Sequence, residues 1–269
     1  MIKNITIGQY IPGDSYVHKL DPRIKISLSM LFVIGLFLVN NFVGYIFIVP
    51  FIFFIILISK LKFQYIYKGL KPIFILLLIT GILNIFMIQG KTVLFAFKFI
   101  VIYKEGVYTA SFMMLRLIFL IVGTSILTLT TSPIELTDGI EKLLNPFKRI
   151  GIPAHELAMM MTIALRFIPT LIDETDKIMK AQMARGADFE TGNIFSRAKN
   201  LIPLLVPLFI SSFRRADELA MAMEARCYRG GEGRTRMKQL KLTYRDVIAV
   251  FVFTIFLVVT VSSRWWLKA

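Results

Sequence analysis

Apolar runs of nearly membrane-spanning length recur along the chain. There are five, at residues 24–39, 42–58, 72–88, 107–129 and 247–261. A transmembrane helix needs about 20 predominantly apolar residues, and a slightly shorter run can span when flanking side chains reach the interface. The pattern therefore predicts an all-α membrane protein with about five transmembrane helices.

A different pattern fills the gap between the third and fourth runs. Residues 93–103 are rich in β-branched and aromatic side chains, and Gly90 and Gly106 bound them. This segment is too short for another helical span. We expect an extended hairpin or a re-entrant segment at the outer membrane interface.

Acidic residues gather in the second half of the chain. Fourteen of the 17 lie between residues 132 and 246, which places this segment in water or against the polar surface of another protein. Its pattern predicts three helices, at about residues 133–145, 152–185 and 194–226. The second is apolar nearly all round in its first half and charged in its second half, as expected for a helix that leaves a membrane and enters water.

These segments divide the chain into three parts. Residues 1–131 form an N-terminal membrane part with about four spans, residues 132–243 a cytoplasmic domain of long coupling helices, and residues 244–269 the last transmembrane helix. Residues 1–131 carry 12 Lys and Arg against 3 Asp and Glu, and the predicted loop 59–71 has four lysines and no acid. The positive-inside rule then places the N-terminus in the cytoplasm.

Composition excludes several classes of protein. The hydrophobic fraction of 56% and the mean hydropathy of +0.69 are too high for an ordinary soluble protein. The net charge of +15 lies mostly beside apolar runs, without the basic, aromatic-lined groove of a nucleic-acid binder. Cys227 is the single cysteine, and His18 and His155 are far apart in sequence, so we expect neither a disulfide framework nor a bound metal.

The sequence also lacks a recognisable catalytic constellation. Gly90-Lys91-Thr92 resembles the end of a phosphate-binding loop, but Ile85 stands where the earlier glycine belongs. The five apolar runs hold no Asp or Glu, the usual ligands of a proton relay or a cation site. We expect no catalytic residue and no directly bound cofactor. Arg116, the one charge well inside a span, is interpreted as snorkelling or pairing with nearby Ser and Thr.

One short signature occurs twice. Ala184-Arg185-Gly186 closes the second predicted coupling helix, and Ala225-Arg226-Cys227 closes the third. Each places a guanidinium near a helix C-terminus, where it can compensate the helix dipole or enter an acidic pocket of a partner. Dipole compensation, worth about 0.3–1 kcal/mol, accounts for each end alone. The repetition favours docking to two similar partner subunits.

The same helices carry apolar residues and prolines. The candidates for contact with a membrane partner are Met159, Met160, Leu204, Leu205, Leu208 and Phe209. Such side chains form irregular cores as well as adaptable binding surfaces, and both roles stay open. Because proline removes a helical hydrogen bond, we expect kinks at Pro169, Pro203 and Pro207.

Several of these features together resemble a known family. They are the N-terminal segment at residues 8–23, which reads GQYIPGDS and then HKLDPR, the stretch Leu165-Arg166-Phe167-Ile168-Pro169 and the two Ala-Arg triplets. They are similar to the transmembrane T component of energy-coupling factor (ECF) transporters, the EcfT/CbiQ family. The resemblance covers essentially the whole chain.

The resemblance implies a scaffold of an ABC-type importer in the prokaryotic cell membrane. T components join two ATPase subunits, which bind ATP and Mg²⁺, to a small membrane-embedded S component that binds the substrate. The resemblance also implies that Arg185 and Arg226 dock into the ATPases and that the long helices carry ATP-driven movement to the S component. The chain itself would have no enzyme activity.

One position departs from the family pattern. Cys227 stands where the family usually has glycine, the residue that best adopts a left-handed helix cap. We therefore expect the third helix to run on toward Gly230. The alternatives are a stand-alone secondary transporter, a membrane-embedded enzyme and a T component dedicated to cobalt or nickel. The sequence leaves the substrate open, because the S component selects it.

Overall fold

The protein is almost entirely helical where the structure, a computed structural model, describes it: residues 10–97, 100–189, 195, 199–231 and 240–266. The α-helices in these ranges are α1 (Pro22–Leu38), α2 (Phe42–Ser59), α3 (Phe63–Leu70), α4 (Phe74–Met87), α5 (Lys104–Thr130), α6 (Pro133–Leu144), α7 (Ala154–Ala184), α8 (Ile202–Ala225) and α9 (Tyr244–Trp266). Short 3₁₀ helices occupy Lys71–Ile73 and Asn145–Ile150.

Five helical segments of the described chain are long and apolar enough to cross a membrane: Phe42–Ser59, Phe63–Met87, Lys104–Thr130, Ala154–Ala184 and Tyr244–Ser263. The predicted class, an all-α membrane protein, is confirmed, although the members of the set differ from the prediction. The predicted first span, α1, has 17 residues. Its length of about 26 Å is slightly less than the hydrocarbon core of about 30 Å. α7 joins the set because its first half is apolar.

The prediction of a loop at residues 59–71 is wrong, because most of that segment is helical. α3 fills its middle, and the 3₁₀ helix Lys71–Ile73 connects α3 to α4. Ile66 is buried while Lys68 and the preceding Lys62 are exposed, so α3 is amphipathic despite the lysines in and beside it. The third membrane segment therefore begins in α3, before Pro72.

The extended hairpin predicted between the third and fourth spans is confirmed. β1 (Val93–Phe97) and β2 (Ile100–Tyr103) are antiparallel, and residues 98 and 99 lie outside the described residues. Just before β1, the backbone N–H groups of Lys91 and Thr92 donate to the Glu105 carboxylate. The stretch that resembles a phosphate-binding loop thus holds an acidic side chain of the same chain.

Arg116 is bound at the C-terminal end of α1. Its Nη2 donates to the carbonyl oxygen of Val39 at 2.8 Å, and its guanidinium lies 4.8 Å from the centre of the Phe112 ring. The arginine therefore satisfies a carbonyl that has no helical partner and stacks on an aromatic face. We predicted snorkelling or pairing with Ser and Thr, and this hydrogen bond goes to a backbone carbonyl instead.

Contacts divide the chain into two compact units. One comprises Gly8–Gly139 and Leu240–Ala269, and the other includes Ile140–Gln239. We call them the membrane unit and the long-helix unit. The boundary lies within α6, whereas the sequence suggested a boundary at residue 131. α6 begins with a capping Ser132, whose Oγ accepts the Glu135 N–H at 3.3 Å.

Candidate functional site

The first Ala-Arg triplet closes α7 with two backbone hydrogen bonds. The N–H of Gly186 donates to the carbonyl of Met183, and the N–H of Ala187 donates to that of Gln182, both at 3.0 Å. Gly186 has a φ of +88°. This is a Schellman motif, which satisfies carbonyls that the end of a helix leaves open. Arg185, at the cap position, is exposed and has no ion pair within the described residues.

The second triplet closes α8 in the same way. The N–H of Cys227 donates to the carbonyl of Glu224 at 2.8 Å, and the N–H of Tyr228 donates to that of Met223 at 3.0 Å. Arg226 takes the cap position and is exposed, like its counterpart on α7. The two arginines thus occupy equivalent positions in equivalent helix ends.

The expectation that the second end would run on toward Gly230 is therefore wrong. Cys227 adopts a left-handed φ of +56°, within the narrow region that residues with a Cβ tolerate, whereas Gly186 lies at +88°. A left-handed non-glycine residue costs about 1–2 kcal/mol. The two hydrogen bonds of the motif offset this cost, since each contributes about 0.5–1.5 kcal/mol.

Side chains brace α7 against α8. Glu174 accepts hydrogen bonds from Ser211 and from Nη2 of Arg215, the latter at 2.5 Å. Nearer the end of α7, Nε2 of Gln182 donates to the carbonyl of Pro203 at 3.4 Å. The contact nearer the end of α7 is made to a residue nearer the start of α8, so the two helices are antiparallel.

The antiparallel arrangement separates the two arginine ends. Arg185 lies just beyond Gln182, beside the start of α8, whereas Arg226 follows the last residue of that helix. α8 has 24 residues, which corresponds to about 36 Å. The two arginines are therefore held apart by roughly the length of one helix.

The six predicted contact residues fall into three groups. Met160, Leu205 and Phe209 are exposed, with 55%, 45% and 61% of their surfaces accessible. Met159 and Leu208 are partly buried. Leu204 is only 5% exposed, so it belongs to the interior rather than to an open surface.

α8 exposes more apolar surface than we predicted. The exposed large apolar residues of its first half are Ile202, Leu205, Val206, Phe209, Ile210 and Phe213, and we call them the α8 stripe; Met221 is exposed nearer its end. Four of them, at positions 202, 206, 209 and 213, follow the helical spacing of a single face. This spacing was visible in the sequence, and the two prolines in the run obscured it.

The three prolines have different positions. Pro169 and Pro207 lie inside α7 and α8, which continue through them. Pro203 lies in the first turn of α8, where a proline has no helical hydrogen bond to remove. The predicted kink at Pro203 is thus a helix start. The predicted beginning of the third helix at residue 194 lies outside the described residues.

The N-terminal segment that carries part of the family resemblance has its own polar core. Nε2 of His18 donates to the carbonyl of Ile11 at 3.0 Å, which leaves Nδ1 to accept the Ser15 hydroxyl at 2.6 Å. Burial lowers the pKa of His18. The pKa of Asp21 is lowered as well: burial opposes this shift, but hydrogen bonds from Arg23 outweigh it.

Comparison with known proteins decides the family. A family model described as a cobalt transport protein, CbiQ, matches residues 13–237. The chain is 69% identical over 270 residues to the energy-coupling factor transporter transmembrane protein EcfT of Clostridium kluyveri, with 100% of both chains covered. The chain belongs to the CbiQ/EcfT family.

Two other members show how far the similarity extends. The EcfT protein of Thermosediminibacter oceani is 59% identical over 264 residues, which cover 98% of this chain and 99% of that protein. The EcfT protein of Bacillus subtilis is 48% identical over 269 residues, with both chains fully covered. The full-length similarity identifies the chain as a transmembrane component of an ECF transporter, and the family name implies partner subunits in a complex.

Proposed function

We propose that this T component couples two ABC ATPase subunits to a substrate-binding S component. The observation that carries the proposal is the pair of exposed arginines, each on the C-terminal cap of its helix, at opposite ends of the antiparallel pair of α7 and α8. Two like ends fit two like partners. A guanidinium can form bidentate hydrogen bonds with carboxylates, so each arginine suits an acidic groove on an ATPase.

The brace between α7 and α8 suggests how movement would be transmitted. ATP-driven closure of the ATPases, which bind ATP and Mg²⁺, would pull on both arginine ends. Because Glu174 joins the two helices near their middle, displacement of either end would move the pair as one body. The S component would bind the α8 stripe together with Met160 and would change its orientation in the membrane.

The proposed location is the prokaryotic cell membrane, with several passes through the lipid bilayer and a cytoplasmic N-terminus. The excess of basic residues beside the apolar segments supports this orientation. The imported substrate would be a vitamin or another micronutrient that the S component selects. The T component would provide mechanical coupling without enzyme activity.

Charge reversal at the two arginines tests the proposal. Arg185→Glu and Arg226→Glu should each weaken co-purification of the ATPase subunits, and the double variant should abolish both co-purification and ATP-dependent uptake. Arg214→Glu is the matched control, since Arg214 is exposed on α8 but lies away from its end. Unchanged assembly of the double variant would refute docking through these ends.

The description of the matching family motivates a second candidate, a T component dedicated to cobalt or nickel uptake. The S component that co-purifies with the chain separates the two candidates. Uptake of radiolabelled Co²⁺ or Ni²⁺ by the purified complex would support this one, and uptake of a vitamin would support the first. Uptake by the chain alone in liposomes would instead indicate a stand-alone transporter.

A further inference from the structure

The segment between α5 and Leu240 begins after Thr130, stays in the membrane unit up to Gly139 and then forms Ile140–Gln239 of the long-helix unit. We call the end of α5 at Thr130 the exit of this segment and Leu240, just before α9, its return. More than a hundred residues, including both arginine ends, lie between these two crossing points. Within the membrane unit, the N-terminal segment hydrogen-bonds to both of them. This is the segment that carries much of the family resemblance and has no role in the proposed docking.

At the exit, the N-terminal segment and the first turn of α1 bind the last carbonyls of α5. The N–H of Ile11 donates to the carbonyl of Leu129, and Nζ of Lys25 donates to that of Thr130, both at 3.0 Å. Nζ of Lys25 also donates to the carbonyl of His18 at 3.0 Å. Lys25 is only 6% exposed. A buried ammonium needs such acceptors, because leaving it without them would cost a large desolvation energy.

At the return, the same segment binds the start of α9. Oδ1 of Asp246 accepts the N–H of Asp21 at 2.8 Å, and its Oδ2 accepts the N–H of Thr243 at 2.7 Å. The hydroxyl of Tyr16 donates to the carbonyl of Arg245 at 2.9 Å. Asp246 is 2% exposed, so both its hydrogen bonds are shielded from water.

Arg23 completes the cluster. Its Nη2 and Nε donate to the two carboxylate oxygens of Asp21 at 2.7 and 3.0 Å, in a bidentate pair. The same Nη2 lies 3.5 Å from the carbonyl oxygen of Leu240, the first residue of the returning chain. Asp21 is thus connected to the return in two ways. Its backbone N–H binds Asp246, and its carboxylate binds Arg23, which contacts Leu240.

We infer that Tyr16, Asp21, Arg23, Lys25 and Asp246 form a clasp that fixes the exit and the return of the long-helix segment to one N-terminal anchor. This inference rests on the proposed coupling function. Movement reaches a membrane partner only if the base of the moving segment stays in place. A clasp on the exit and the return holds this base in place. When the clasp is broken, the movement is absorbed by the connecting chain and does not reach the partner.

The first test measures substrate transported per ATP hydrolysed by the complete transporter. Asp246→Asn places an amide N–H against a backbone donor and should lower this ratio about tenfold, because it removes a buried, charge-assisted bond. Tyr16→Phe removes one hydroxyl and should lower the ratio about threefold. Lys19→Ala, which removes the exposed pair of Lys19 with Asp14 at the same segment, is the control and should leave it unchanged.

The clasp and the docking of the ATPases fail in different ways. Failure of the ATPase subunits to co-purify with the wild-type chain would count against the proposed coupling function. Retained assembly and ATP hydrolysis with an unchanged ratio in Asp246→Asn and in Tyr16→Phe would overturn the clasp. Tyr16→Phe decides the question if Asp246→Asn does not fold, since it leaves the buried charges in place.

A second test needs only the full-length chain in detergent. Hydrogen exchange of the Asp21 amide should be slow in the wild type and about tenfold faster in Asp246→Asn, because the carboxylate that protects it is gone. Amides of the α7 cap should keep their rates. Fast exchange at Asp21 in the wild-type chain would overturn the inference regardless of transport.

Discussion

The ends of α7 and α8 have the same hydrogen bonds but different residues at the left-handed position. Gly186 adopts a φ of +88° and Cys227 a φ of +56°, and each is followed by the same second bond of the Schellman motif. The end of a helix is therefore determined by where its open carbonyls find donors, and the residue type sets the cost. Two arginines can be presented alike although only one helix ends in glycine.

Removal of the brace between α7 and α8 should have the largest effect on the stability of this pair of helices. Glu174→Ala removes the acceptor of two hydrogen bonds and leaves Arg215 without its carboxylate. We expect a loss of about 2 kcal/mol in the free energy of unfolding of the long-helix unit. Thermal unfolding in detergent measures it, with Asp217→Ala, an exposed change on α8, as control. Equal stability of both variants would show that the brace does not hold the pair.

Alanine at the two caps should separate glycine from cysteine. Gly186→Ala forces a Cβ into a φ of +88° and should cost about 1–2 kcal/mol, whereas Cys227→Ala exchanges one residue with a Cβ for another and should cost close to nothing. Thermal unfolding of the two variants gives the difference. Equal losses would mean that the caps are not left-handed in the way described.

Glycine at the second cap should make the ends alike. Cys227→Gly relieves the left-handed strain but adds freedom to the unfolded chain, so we expect a net gain of about 0.5–1 kcal/mol. Co-purification of the ATPases should be unaffected, because Arg226 keeps its position. A loss of stability would indicate that the cysteine side chain makes a contribution of its own.

Acid should weaken the membrane unit without altering the arginine ends. The pKa of His18 in the folded protein is below its ordinary value of 6.5, so below that pH the unfolded chain binds more protons than the folded protein does. The stabilisation is complete above pH 6.5 and is lost as the pH falls through the folded pKa. His18→Gln should flatten the dependence of thermal stability on pH below 6.5. An unchanged slope would show that the pH dependence comes from other groups.

Hydropathy predicted most of the helices, because a membrane segment must be apolar over its whole length. It missed α3, since the lysines of residues 59–71 suggested a loop and only the buried Ile66 reveals the packed face of the helix. The Arg185 end was predictable from Gly186. The left-handed cap after Arg226 was not, because the cost of a Cβ there is about 1–2 kcal/mol and two backbone hydrogen bonds offset it.

The clasp could not be predicted from the sequence for a different reason. Asp21 and Asp246 are 225 residues apart, and several of the acceptors are backbone carbonyls, which leave no signature in the residue type. The N-terminal segment was recognisable as a family feature. Its contacts with both crossing points emerge only when the chain is folded.

The distance between the two helix ends tests the account most directly. Cys227 is the only cysteine of the chain, so a spin label there and one at Ala184→Cys report the separation by pulsed electron paramagnetic resonance. An antiparallel, braced pair predicts a distance of about 35 Å, one length of α8. A distance below about 15 Å, close to the 8–10 Å between packed helix axes, would place the ends side by side and contradict the account.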